Sequence, residues 1–333
     1  MAWGYRNNTG LCIVRDGQVL ESHVARTDDE ILSWLRPRMG NQCILAIDAP
    51  LVVRNLTGRR RCESLISHVF HRSQAGAHSS NLGLSAFEKG VRAMDLALAL
   101  GLSCDPIFPP DFETSRCLEV YPHPALVALF DLPLTLKYKA KPGRTPLSRR
   151  SAFMELFRHL ESLLDGDPPL DVTTAPRWGH LTQEVQGATS NAVLDRCEDE
   201  IDAYVCAYVA LYYWTHGIQR CRVVGDLATG YIVTPVSESL GLELDRAMEQ
   251  PLKATGHDRY RPSQTPVGKE ARSPILRTAF CGCGCGSPVQ ARYRRGHDAR
   301  HRSQLLRAAR AGDDKASAEL VRLGWDRSTI LPR

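Results

Sequence analysis

Residues 43–51 read CILAIDAPL. Residues 43–47 are apolar or small without polar alternation, which fits a strand buried on both faces, and β-branched Ile44 and Ile47 favour strand over helix. Pro50 cannot donate to a ladder and ends the strand. Asp48 therefore stands at its carboxyl end, where open α/β sheets gather their functional groups in a crevice. Two readings fit it: a carboxylate for metal or proton chemistry, or a residue that starts the next turn.

Upstream, residues 9–15 and 18–25 are β-patterned runs around Asp16-Gly17, a hairpin signal. Residues 28–38 predict a helix capped by Thr27 or Asp28, with Ile31, Leu35 and Leu32 on one face. The order strand, strand, helix, strand implies a mixed sheet. Downstream, Arg59, Arg60 and Arg61 lead into a helix and are candidates to hold phosphates. Three adjacent arginines cannot share one helix face. Residues 74–87 form a loop with His78, and 87–100 predict a helix.

Residues 117–121, CLEVY, read as a strand closed by Pro122 and Pro124. Glu119 within it either points to solvent from a sheet edge or faces a site. Residues 137–150 carry six Lys and Arg and no acid, Lys137 and Lys139 among them, as a basic loop near the site. A helix follows over 147–164. In the helix at 194–214, Glu198, Asp202, Val205 and Val209 share one face, so two carboxylates continue the stripe that packs on the sheet. Asp199 is a neighbour of Asp202. Carboxylates aimed at a core are costly unless metal-bound or paired; acids near a helix N-terminus that point to water are the other reading. Residues 222–226 and 230–235 predict a closing hairpin.

The 333 residues, 43% of them apolar, are enough for one large domain and an appendage. No apolar run is long enough to span a bilayer and the amino terminus lacks a secretory pattern, so the expected location is the cytoplasm. The formal charge of +5 is uneven: residues 253–333 hold 17 Lys and Arg against 7 Asp and Glu. The body is thus acidic and the tail basic, as for a part that meets a polyanion. The expected division is a domain at 1–250, a Pro-, Gly- and Ser-rich linker at 251–276, and a small module at 277–333. Eight of the eleven cysteines are scattered as buried thiols. Cys281, Cys283 and Cys285, with His297 and His301, offer five ligands of which four would satisfy a tetrahedral Zn²⁺. A segment this small would gain much of its fold from that metal.

AIDAPL, NLTGRRRCE, QAGAHSSNL, LEVYPHPALVALF, LKYK, CEDEIDAYVCAYVA and GYIVTP, in this order, resemble the DUF429 family of expected RNase H-like nucleases. The resemblance spans about residues 2–236. Residues 277–325 look like a small Cys/His zinc-knuckle module attached to various bacterial domains. The resemblance implies an α/β, RNase H-like mixed sheet with flanking helices. It also implies a cluster of carboxylates around Mg²⁺ or Mn²⁺, in which Asp48 and Asp202 are the metal ligands. Glu198 or Asp199 neighbours Asp202, and Glu119 matches a further acidic position. Two such ions orient water and stabilise the leaving oxygen of a phosphodiester. One departure stands out. Family members begin with a strand of the type G-x-D-x-A-W-G, whereas this chain starts Met1-Ala2-Trp3-Gly4. The first strand and its aspartate would then lie before Met1, through a late start codon or in a defective enzyme, and the ladder groups of residues 43–47 would be left unpaired.

The expected function is a metal-dependent nuclease or phosphodiesterase acting on nucleic acid, with Arg59 to Arg61, His78, Lys137 and Lys139 on the substrate. Two rivals are a non-catalytic nucleic-acid binder that works through a basic zinc knuckle and a phosphotransferase, which the lack of a Gly-rich phosphate loop disfavours.

Overall fold

A computed structural model describes residues 8–109 and 112–250, together with Lys315 and the backbone of two short strands, Ala279–Phe280 and Pro288–Val289, that pair antiparallel. The chain divides into two units, Met1–Tyr260 and Arg261–Arg333. The expected linker, and in the expected zinc module Cys281, Cys283, Cys285, His297 and His301, lie outside the described residues. Among the described residues, no helix is long and apolar enough to cross a membrane.

The first unit is mixed α/β. Strands β1 (Thr9–Arg15) and β2 (Gln18–Ala25) form an antiparallel hairpin. Asp16 and Gly17 both take positive φ, 50° and 72°, as a two-residue turn that matches strand twist requires. Helix α1 (Asp28–Leu35) begins as its sequence directs. Thr27 Oγ1 accepts from Glu30 N at 3.1 Å, and three acids occupy the first turn. Strand β3 (Ile44–Ile47) then pairs parallel with β4 (Arg116–Glu119). Helices α2 (Arg61–Val69) and α3 (Arg92–Ala99) lie in the crossover between them. One parallel bridge, Val120 to Val233, carries the layer on to the closing hairpin of β5 (Cys221–Asp226) and β6 (Gly230–Pro235).

Helix α4 (Pro122–Leu129) follows β4 directly where the sequence reading ends a strand, because proline at the first helical position loses no hydrogen bond. Helices α5 (Pro146–Glu161), α6 (Trp178–Gln186), α7 (Asn191–His216) and α8 (Glu238–Glu249) complete the unit. The 26-residue α7 is the longest, and it packs on both β1 and β3. At Gly10 of β1 a Cβ would lie 1.8 Å from the Asp199 carbonyl oxygen, so only glycine permits this approach.

Among the described residues β1 pairs only with β2, and β3 only with β4. A slot of about 580 Å³ separates them, lined by both strands and by Ala203, Cys206, Ala207 and Ala210 of α7. Burial of residues 43–47 on both faces is therefore realised only at Ile47. Ile44, Leu45 and Ala46 border the slot and are half-buried.

Candidate functional site

Asp48 follows β3 immediately, and Asp202 lies on the buried face of α7 with Val205 and Val209, where the helical spacing puts it. Far apart in the chain, the two carboxylates face one ammonium. Lys139 Nζ is 2.6 Å from Asp202 Oδ2 and 3.7 Å from Asp48 Oδ2. The Tyr138 hydroxyl donates to Asp202 Oδ1 at 2.6 Å, which engages the second oxygen of that carboxylate.

One turn earlier on α7, Glu198 Oε2 accepts from Arg149 Nη2 at 2.9 Å and from Ala140 N at 3.0 Å. Arg149 is wholly buried; it also meets Asp195 at 2.7 Å and donates from Nε to the Tyr138 carbonyl. Residues 138–140 are thus fastened along α7 by one guanidinium, one hydroxyl and one amide. Asp199 is half-buried beside this group.

Burial raises the carboxyl of Asp48 above the ordinary aspartate range, against the pull of Lys139 and with the push of Asp202. Burial does the same at Glu198 and Asp199. For Lys139 burial acts downward, but Asp202, Tyr138 and Asp48 outweigh it and hold the ammonium well above the usual lysine value. The cluster is two carboxylates that share one ammonium.

Asp48, Lys139 and Glu198 open onto a cavity of about 270 Å³, also lined by His78, Tyr121, His123 and Lys141. His78 is exposed; desolvation, then Lys141 and Lys139, lower its pKa, so the imidazole is neutral near pH 7. Burial pushes the thiols of Cys62, Cys117, Cys206 and Cys221 upward, Cys221 to about 12, whereas a hydrogen bond with Cys117 lowers that of half-buried Cys104.

The structure disposes differently of other residues singled out from the sequence. Glu119 sits on β4 between β3 and the bridge to β6, so it is not at an edge; it pairs with Arg60 at 2.5 Å. Arg60 is itself buried and meets Glu63 at 2.8 Å. Both border the cavity but are engaged with each other, which removes Arg60 from the surface arginines. Arg59 is exposed and donates to Ser79 and Ser67 hydroxyls at 2.8 and 3.0 Å. Arg61 is exposed with one bond to the Met248 carbonyl at 2.7 Å, and Lys137 is exposed. Tyr138 and Arg149 escaped the sequence reading, although an aromatic residue inside a basic run is the visible signal of a buried register.

Among the described residues no three His, Cys, Asp or Glu side chains gather into a group that could hold a metal ion. The pair at Asp48 and Asp202 has two carboxylates and an ammonium. Mg²⁺ keeps several waters and is held through one or two protein carboxylates plus substrate phosphates, so the donor chemistry fits it. The pair lacks the nitrogen and sulfur ligands usual for zinc. No curated protein and no solved structure matches the chain. The profile of the family described as "Protein of unknown function (DUF429)" matches residues 6–226, and the chain belongs to that family.

Proposed function

We propose that the chain is a metal-dependent nuclease or related phosphodiesterase of RNase H-like arrangement, with Asp48 and Asp202 as ligands of Mg²⁺ or Mn²⁺. The observation that carries this reading is the convergence of the two carboxylates on one cation-binding point at the carboxyl end of β3. Asp48 and Asp202 would hold the ion, whose chemistry when bound would be to orient a water for attack at phosphorus and to stabilise the leaving oxygen. The protein's own groups do the rest. Tyr138 orients Asp202, and Arg149 holds Glu198 one turn away. Lys141 lines the cavity beside His78 and gives it a positive charge suited to phosphates, and exposed Arg59 and Lys137 would meet more of a polyanion. Neutral His78 can accept or donate a proton there. The basic residues from 253 onward, with Zn²⁺ held by four of Cys281, Cys283, Cys285, His297 and His301, would add affinity for nucleic acid in the cytoplasm.

The absence of a third carboxylate at the pair, among the described residues, favours a second reading, a nucleic-acid binder without chemistry. The two differ in one assay. Divalent-dependent cleavage of single- and double-stranded DNA and RNA is expected to fall by at least about a hundredfold in Asp48→Asn and in Asp202→Asn. Cleavage that both variants retain would overturn the nuclease; salt-sensitive binding that both retain, with no cleavage by the unaltered protein, would establish the binder.

A further inference from the structure

The strongest attraction at the carboxylate pair comes from within the chain. Lys139 Nζ stands 2.6 Å from Asp202 Oδ2 and 3.7 Å from Asp48 Oδ2. A divalent ion of the Mg²⁺ kind sits about 2.0–2.1 Å from its oxygens. An ammonium at hydrogen-bond distance from one of those oxygens occupies an acceptor that the ion would use and repels a second cation. The two cations compete for the pair.

The surroundings hold the main chain at this point and leave the side chain room to move. Tyr138 is tied by its hydroxyl to Asp202 and by its carbonyl to Arg149, and Ala140 N is tied to Glu198. Arg144 Nη1 donates to the Lys139 carbonyl at 2.8 Å. The Lys139 side chain is 19% exposed and lines the cavity of about 270 Å³ together with His78 and Lys141. A four-carbon stem with freely rotating bonds can carry the ammonium into that cavity without disturbing residues 138 and 140.

We infer that Lys139 is a resident cation that closes the Asp48–Asp202 pair in the metal-free protein and has to swing into the adjoining cavity before a divalent ion is taken up. The inference rests on the reading of that pair as a divalent site. It makes the metal-binding form a minority state of the unloaded protein, so apparent affinity is reduced by the fraction that is open.

The test uses the full chain and Mn²⁺ as the probe, with free Mn²⁺ read by electron paramagnetic resonance. Lys139→Met and Lys139→Gln are expected to bind Mn²⁺ at least tenfold more tightly than the unaltered protein, and Lys139→Arg no more tightly than it. Binding by the unaltered protein that is equal or stronger than in both neutral variants overturns the inference and leaves the divalent site standing. No uptake by any of the four proteins at millimolar Mn²⁺ overturns both. A second measurement needs no variant and covers the case in which a neutral replacement fails to fold. Mn²⁺ is expected to increase acetylation of Lys139 by acetic anhydride, read by peptide mass spectrometry. Reactivity that stays the same or falls on adding Mn²⁺ overturns the inference.

Discussion

Arg60 and Glu119 meet as a buried two-pronged pair, Nη1 to Oε2 at 2.8 Å and Nη2 to Oε1 at 2.5 Å. Planar guanidinium and carboxylate match in this geometry, and Glu63 takes Nε at 2.8 Å. The pair also fixes the chain just after Asp48. Glu119 Oε2 accepts from Leu51 N at 2.8 Å, and Arg60 Nη1 donates to the Val52 carbonyl at 3.0 Å. Glu119 is thus a brace for the strand end that carries Asp48. Glu119→Ala leaves Arg60 with Glu63 as its remaining partner but strips Leu51 N and two guanidinium N–H groups of their acceptor, so it is expected to cost about 1–3 kcal/mol in urea unfolding. Arg60→Met combined with Glu119→Leu is expected to cost more, because it leaves buried Glu63 without its guanidinium. A loss below about 1 kcal/mol in Glu119→Ala would show that the pair is not a brace.

Gly10 governs the distance between β1 and α7. A Cβ there would meet the Asp199 carbonyl oxygen at 1.8 Å and the Glu200 Cα at 2.7 Å, both rigid backbone atoms. Gly10→Ala therefore has to push the helix segment that carries Glu198, Asp199 and Asp202 away from the hairpin. Overpacking of this kind costs roughly 1–3 kcal/mol, and the displaced Asp202 should weaken divalent binding as well. Calorimetry and a Mn²⁺ titration check the two effects. Gly10→Ala with unchanged melting temperature would mean that β1 does not rest on α7.

The parts of this fold that could be read from sequence are those in which local pattern and final environment agree. Asp16-Gly17 specifies its turn without help from the rest of the chain, and the spacing of Asp202, Val205 and Val209 specifies one helix face. Asp48 follows the same logic, since a strand that ends ahead of Pro50 presents the residue at its carboxyl end to a crevice. The rest depends on partners that pattern does not name. Whether Glu119 points to solvent from an edge or inward is decided by what lies beside β4, and a strand of four residues carries no record of that. In the run of 137–141, Lys137 and Lys141 are exposed while Lys139 turns inward, because Tyr138 and Ala140 are fastened to α7 by residues many positions away. Helix α4 was hidden by its own composition, eight residues with two prolines in the first turn and no polar face.

His123 supplies a pH test independent of the carboxylate pair. It is buried against Tyr121 and Tyr138, with Nδ1 2.9 Å from Thr135 Oγ1. Burial, then the positive charges of Lys139, Lys141 and Arg144 and the nearby His78, hold its pKa well below the ordinary value. The unfolded chain thus binds a proton near pH 6.5 that the folded chain refuses. The stabilising contribution is complete above the unfolded pKa and is lost as pH falls below it towards the folded value. Raised carboxyls such as Asp48 act in the opposite sense, because their contribution is present at low pH and lost as pH rises. Comparison with His123→Asn isolates the histidine: between pH 7 and pH 5 the unaltered protein should lose more stability than the variant. Parallel stability curves would show that His123 is not held neutral.

Tyr138 separates the orientation of Asp202 from its charge. Its hydroxyl donates to Asp202 Oδ1 at 2.6 Å while Lys139 holds Oδ2, so the carboxylate plane is gripped at both oxygens. Tyr138→Phe removes one grip without changing charge or the shape of the aromatic packing against Phe153 and His123. A hydrogen bond to a charged group is worth about 1.5–3 kcal/mol when a buried partner is left behind, and unfolding should show a loss in that range. Divalent binding should persist, because Oδ2 and Asp48 remain, whereas cleavage should fall more steeply than binding as the carboxylate rotates out of register. A variant with unaltered stability and unaltered cleavage would mean that the Tyr138 hydroxyl does not orient Asp202.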